Sequence, residues 1–120
     1  MADRRAEGQR QESLGRRYLE RAGLRFVAAN VSFRGGEIDL VMEDRESLVF
    51  VEVRARRSAE FGDAAATVGP TKQRRLARAA GLFLARHPHW AQRPCRFDVL
   101  AVDAGEIGWI RDAFQPMDHA

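Results

Sequence analysis

A glutamate stands inside the most apolar run of this chain. Leu48-Val49-Phe50-Val51-Glu52-Val53-Arg54 reads as a strand of nearly continuous apolar residues. Such a strand is buried on both faces and sits in the middle of its sheet. An acid buried there is costly unless something beside it compensates the charge. The fold must therefore cover this strand from two sides, and it must give Glu52 a partner.

The flanking segments fit a layered α/β architecture. Leu14, Tyr18, Leu19 and Ala22 recur at helical spacing and predict a helix over 9–22, ended by Gly23. Residues 1–8 carry no apolar period and read as a flexible N-terminal tail, with one domain over 9–120. Phe26, Val27 and Val31 predict a strand over 25–31, and Gly35-Gly36 a turn. Residues 37–43 and 47–55 read as a β-hairpin around Asp44-Arg45-Glu46. A long loop covers 57–70. Thr71 is the expected cap of a helix to Arg86, whose apolar positions are Leu76, Ala79, Ala80, Phe83 and Leu84. Strands over 96–102 and 107–110 complete the order α-β-β-β-α-β-β. This is an α/β chain with a mixed central sheet flanked by helices.

Composition narrows the class. With 120 residues and 45% hydrophobic content the chain supports one modest core. No apolar stretch is long enough to span a bilayer, and no apolar core follows the N-terminus to make a signal peptide. Cys95 is the single cysteine, so no intrachain disulfide forms. A cytoplasmic location with no membrane partner is the default expectation. The net charge of +3 hints weakly at a polyanion. All 20 basic residues except Lys72 are Arg, the side chain better suited to bidentate phosphate contacts.

The hairpin places two acids together. Symmetric pairing about the turn sets Glu43 against Leu48, Val41 against Phe50, Asp39 against Glu52 and Glu37 against Arg54. Glu37, Asp39, Glu52 and Arg54 then share one face. Opposed residues have Cβ atoms about 4.5–5.5 Å apart. Two poorly solvated carboxylates at that distance need a shared proton or a cation between them. A hard divalent ion with oxygen ligands meets that need. The alternative is a sheet edge open to water, where both acids make ordinary ion pairs with Arg54 or Arg56.

Arginines surround this hairpin in the sequence. Arg56 and Arg57 follow the second strand, Arg74, Arg75 and Arg78 line the outer side of the next helix, and Arg16 and Arg17 lie on the first. These form a candidate nucleic-acid-binding surface; the plainer reading is a solvated charged face.

Gly36-Glu37-Ile38-Asp39-Leu40, Leu48 to Arg56 and Arg96-Phe97-Asp98-Val99 together resemble the YraN-like family of small bacterial proteins. The likeness runs from about Gln11 to Phe114. That family is similar to the PD-(D/E)xK nuclease superfamily, which includes restriction enzymes and archaeal Holliday-junction resolvases. The resemblance implies a restriction-endonuclease-like αβββαβ core. It also implies that Asp39 and Glu52 bind Mg²⁺ (or Mn²⁺) with the Val53 carbonyl, and that Glu12 completes the site, with Gln11 as a neighbouring assistant. From the spacing alone Glu12 lies off the centre of the apolar stripe and reads equally as a solvated helix residue. Asp98 is expected to be a structural partner for an Arg or a backbone group.

Arg54 stands where the superfamily pattern has Lys, and Ile38 where it has Pro. Arg stays protonated and cannot act as a base, but it can stabilise negative charge on a phosphate. Lys72 shares a helix face with Leu76, Ala79 and Phe83, which points the only Lys of the chain toward the sheet. It either reaches the carboxylates or the scissile phosphate, or snorkels over apolar surface. Arg54 and Lys72 are thus the candidate catalytic cations beside Asp39 and Glu52. The expected function is Mg²⁺-dependent endonucleolytic hydrolysis of DNA. The resolvase likeness alone suggests branched DNA and a homodimer. The rival readings are a non-catalytic nucleic-acid-binding module and an interaction or scaffold protein.

Overall fold

The computed structural model describes residues 4–55, 68–103 and 106–115. Helix α1 (Arg4–Arg21) leads into β1 (Arg25–Phe33), β2 (Gly36–Asp44) and β3 (Ser47–Ala55). Helix α2 (Pro70–Arg86) and a 3-10 turn (Pro88–Trp90) precede β4 (Cys95–Asp103) and β5 (Glu106–Phe114). The five strands form one sheet in the order β1-β2-β3-β4-β5. Only β3 and β4 run parallel, and α2 lies in the connection between them. The apolar strand β3 is third of five, as its composition requires, and the chain is an α/β protein with a mixed sheet.

Alternation along β3 divides the core. Val49 and Val51 pack with Leu40, Met42, Leu100 and Val102 beneath Leu19 and Leu24, on the α1 side. Leu48 and Phe50 pack with Ile38, Val41, Ala79, Ala80 and Phe83, on the α2 side. Full burial of a side chain such as Phe50 or Phe83 contributes about 1.5–3 kcal/mol. Glu52 follows the parity of Leu48 and Phe50, and so faces α2.

The hairpin turn and its register agree with the sequence reading. Asp44 pairs with Ser47, Glu43 with Leu48 and Val41 with Phe50, around a two-residue turn in which Arg45 is left-handed at φ 58. The ladder reaches Leu40 and Val51 and goes no further. Glu37 pairs with Ser32 of β1, so the predicted opposition of Glu37 and Arg54 is not part of the ladder.

Three other expectations change. Helix α1 begins at Arg4, inside the segment predicted to be a tail; Glu7 in its first turn pairs with Arg10 at 3.5 Å and suits the helix dipole. The apolar stripe of α1 is also displaced. Leu14 is 38% exposed, while Gly15 and Leu19 are buried. A Cβ on Gly15 would lie 2.8 Å from Leu100 Cδ1, so the helix approaches the sheet at a residue without a side chain. Glu12 precedes Gly15 by three positions and shares its face. Finally, Gly69 rather than Thr71 caps α2, with Pro70 in the first turn. Thr71 Oγ1 instead accepts from Arg74 at 3.2 Å.

Helix α2 is seated against the β1–β2 turn. A Cβ on Gly36 would collide with the Arg75 carbonyl, and Arg78 Nε donates to the Arg34 carbonyl at 3.1 Å. This contact fixes the start of β2, two residues before Ile38.

Candidate metal centre

Strands β2 and β3 part just past Leu40 and Val51. Within the opening, Asp39 Oδ2 accepts the Val53 backbone N–H at 2.8 Å. The side chain thereby replaces a strand-to-strand bond, and Asp39 is held between β2 and β3 rather than facing Glu52 across a regular ladder. That is the physical departure from the predicted geometry, since a regular ladder would leave both acids standing on the same face.

Glu52 is only 6% exposed. Lys72 Nζ reaches to 3.5 Å from its Oε2, and Arg54 Nε lies 3.2 Å from the same oxygen. The Arg54 contact lacks hydrogen-bond alignment, so Arg54 Nε remains unpartnered, as does Glu52 Oε1. Burial and the neighbouring Asp39 push the Glu52 carboxyl up to about 7, against the opposing pull of Lys72 and Arg54. Burial also raises Asp39 above the usual carboxylate range, while the Val53 N–H favours its charged form.

Glu12 arrives from the opposite face. Its carboxyl is raised to about 7 by burial first and by Asp39 second. The neighbouring Asn30 carboxamide favours the charged form of Glu12, and Glu12 Oε1 has no partner. Asp39 is thus the hub of the group, with Glu12 on the α1 side and Glu52 on the α2 side, and Glu37 adds negative potential. Glu12 joins the site because Gly15 lets α1 sink toward the sheet, a signal present in the sequence but masked by Leu14.

Among the described residues, no three His, Cys, Asp or Glu side chains stand in the arrangement of a formed metal centre. The donors nevertheless fit a hard divalent ion. Two buried carboxylate oxygens, Glu12 Oε1 and Glu52 Oε1, lack any partner. Buried acids that must otherwise share protons gain when a cation neutralises them. Asp39, Glu52 and Glu12 are the residues that would hold it, beside the Val53 backbone.

The arginines divide. Arg54 belongs to the centre. Arg16 stacks 3.6 Å over the Phe26 ring, pairs with Glu20 at 3.3 Å, and lines an open cleft of about 290 Å³ with Glu12, Ser13 and Asn30. Arg17 lines a different cleft, with Leu14, Val102 and Ile107. Arg74 and Arg75 are exposed on α2, and Arg78 is committed to the β1–β2 turn. Arg56 and Arg57, with residues 57–67 of the expected loop, lie outside the described residues.

Asp98 is fully buried and wholly satisfied. It accepts from Arg96 Nε at 3.0 Å, Trp109 Nε1 at 2.8 Å and the Asp112 N–H at 2.9 Å. Asp112 is left-handed at φ 50, so Asp98 ties down the irregular end of β5. It is a structural carboxylate, of the kind the sequence suggested.

A mixed sheet opened around linked acids, with basic side chains alongside, defines a small α/β protein with an acidic centre between helices α1 and α2. The chain belongs to the uncharacterised protein family UPF0102, matched by residues 11–102. It is 56% identical over 118 residues to a UPF0102 protein of Xylella fastidiosa strain 9a5c, covering 96% of this chain and 97% of that one. A UPF0102 protein of Burkholderia lata is 59% identical over 108 residues, 89% of this chain and 75% of its own. One from Pectobacterium carotovorum is 56% identical over 113 residues, 93% and 96% of the two chains. The family reading made from the hairpin motifs is thereby confirmed.

Proposed function

We propose that this protein is a Mg²⁺- or Mn²⁺-dependent endonuclease that hydrolyses phosphodiester bonds in DNA, with branched or otherwise structured DNA as its substrate class. The observation that carries this reading is Glu52. It is a buried acid with an unpartnered oxygen, beside Asp39 and within reach of two cations. Nothing in the packing of β3 needs a carboxylate at that position, whereas metal-assisted phosphoryl chemistry does.

In this reading Asp39, Glu52 and Glu12 bind the metal. A bound divalent ion supplies charge neutralisation at the phosphate and a water acidified toward neutral pH. Lys72 orients the nucleophilic water or the scissile phosphate from the α2 side. It takes the place of the strand Lys for which Arg54 is substituted. Arg54, whose Nε is not spent on Glu52, stabilises the charge that develops on the phosphoryl oxygens. Arg16 and the exposed arginines of α2 contact the phosphate backbone, and so do Arg17, Arg56 and Arg57. No helix among the described residues is long and apolar enough to cross a membrane; a cytoplasmic site of action and a homodimer that cuts two strands complete the proposal.

A second reading has its own observation. Among the described residues the acids do not stand in a formed metal arrangement, which suits a nucleic-acid-binding module that kept the fold without the chemistry. Labelled duplex, single-stranded and four-way-junction DNA incubated with Mg²⁺ or Mn²⁺ separates the two. Metal-dependent cutting that disappears in the Asp39→Ala/Glu52→Ala double mutant is the expected result. Salt-sensitive binding with no cutting sinks the nuclease and leaves the module; neither cutting nor binding removes both.

A further inference from the structure

The edge of the acidic centre nearest α1 is built around a backbone irregularity. Asn30 has φ 52, a left-handed conformation that costs most L-residues about 1 kcal/mol or more. Asn is among the few non-glycine residues that visit it readily. Its place in the sheet is informative. Ala29 pairs with Leu40 and Val31 with Ile38, which sets Asn30 opposite Asp39.

Side-chain alternation is reset at this point in both strands. Ala28 and Val31, three positions apart, pack into the same α2-side cluster, and so do Val41 and Ile38 on β2. The irregularity of β1 and the opening that frees Asp39 are thus at one level of the sheet. Asn30 also lines the cleft that holds Glu12, and its carboxamide favours the charged form of that carboxyl.

We propose that Asn30 is a positioning residue for Glu12. Its left-handed backbone turns the carboxamide across the gap to Glu12, holding one oxygen of that carboxylate. The other oxygen, the partnerless Oε1, is the one this leaves for the acidic centre. Asn30 touches neither metal nor phosphate in this scheme; it acts through Glu12. The proposal rests on the metal-centre reading given above.

The test separates the amide from the backbone. Gly tolerates φ 52 without strain, so Asn30→Gly keeps the conformation and removes only the carboxamide. Mn²⁺ affinity is measured by calorimetry in the parent, Asn30→Gly, Glu12→Ala and the double variant. A hydrogen bond that orients a metal-binding carboxylate is worth roughly 10- to 100-fold in metal affinity. Asn30→Gly should weaken Mn²⁺ binding about tenfold in the parent background and less than twofold in the Glu12→Ala background. An equal loss in both backgrounds, or no loss in the parent, overturns the proposal.

A second readout needs no metal. In the metal-free protein the side-chain amide protons of Asn30 should shift in the NMR spectrum on Glu12→Ala. Unmoved resonances overturn the proposal whatever Mn²⁺ does. If the parent binds no Mn²⁺ while the resonances do move, the metal-centre reading fails and the Asn30–Glu12 contact stands.

Discussion

Asp39 Oδ2 accepts the backbone N–H of Val53, 14 residues away across the hairpin, at 2.8 Å. One oxygen of the carboxylate is thereby structural. Asp39→Ala should do two kinds of damage. It strands a partly buried N–H, which costs about 1–3 kcal/mol, and it removes the hub of the acidic centre. Asp39→Asn keeps an acceptor for Val53 and loses the charge. We expect urea unfolding to place the Asn variant within about 1 kcal/mol of the parent, with the Ala variant clearly lower. Mn²⁺ calorimetry should show both variants losing binding. Equal stability of all three proteins would mean that the Val53 contact contributes nothing.

The pH dependence of Glu52 has a definite sign. Its carboxyl is raised from 4.5 to about 7, so the folded state prefers the protonated form. Stability from that preference is fully present below 4.5 and is lost as pH rises through about 7. Glu52→Gln cannot ionise. In EDTA, the Tm of the parent minus that of Glu52→Gln should therefore fall steadily between pH 5 and 7.5. A difference that stays flat, or rises, would show that burial does not raise the Glu52 carboxyl.

Lys72 and Arg54 flank the same oxygen from different elements, α2 and β3. If Lys72 supplies the missing strand lysine, Lys72→Ala should lower metal-dependent DNA cleavage by roughly 10²–10³-fold, the range typical of one electrostatic contact to a transition state. Arg54→Lys should retain most of the rate. Single-turnover cleavage of a labelled four-way junction reads both. Near-parental cleavage by Lys72→Ala would return Lys72 to the role of a snorkelling side chain.

Two glycines should respond oppositely to alanine. At Gly36 the new methyl meets the Arg75 carbonyl, a backbone atom that can yield only by moving α2. Gly36→Ala should cost about 1–3 kcal/mol. Gly81, in the middle of α2, has nothing within 4 Å, so Gly81→Ala should gain about 0.5–1 kcal/mol from helix propensity. Thermal unfolding of the two variants beside the parent checks both signs.

Much of the fold follows from pattern. The unbroken apolar run of β3 demands a central strand, and the register of the hairpin follows from its short turn. The sequence is less informative where a residue's role depends on what it lacks. Gly15 leaves no apolar mark, so the stripe of α1 was read through Leu14, which is exposed, and Glu12 fell off its centre. Periodicity likewise says nothing of where a ladder ends. The opening beyond Leu40 and Val51 depends on a side chain capturing a backbone donor, and strand alternation alone places Asp39 and Glu52 face to face. Lys72 was legible because the helix period of α2 is regular. Asn30 was not, since its importance lies in a backbone angle and in strand pairing with Asp39.

Because β2 and β3 part around Asp39, the acidic centre draws on both sides of the sheet: Glu12 comes from one helix and Lys72 from the other. Neither half of the chain contains the whole arrangement. A nascent chain that has paired its first three strands already holds Asp39 and Glu52, yet lacks the ammonium group of Lys72 until α2 has docked. The centre is therefore a reporter of completed folding, incomplete in any fragment that lacks either helix and assembled only when both layers close on the sheet.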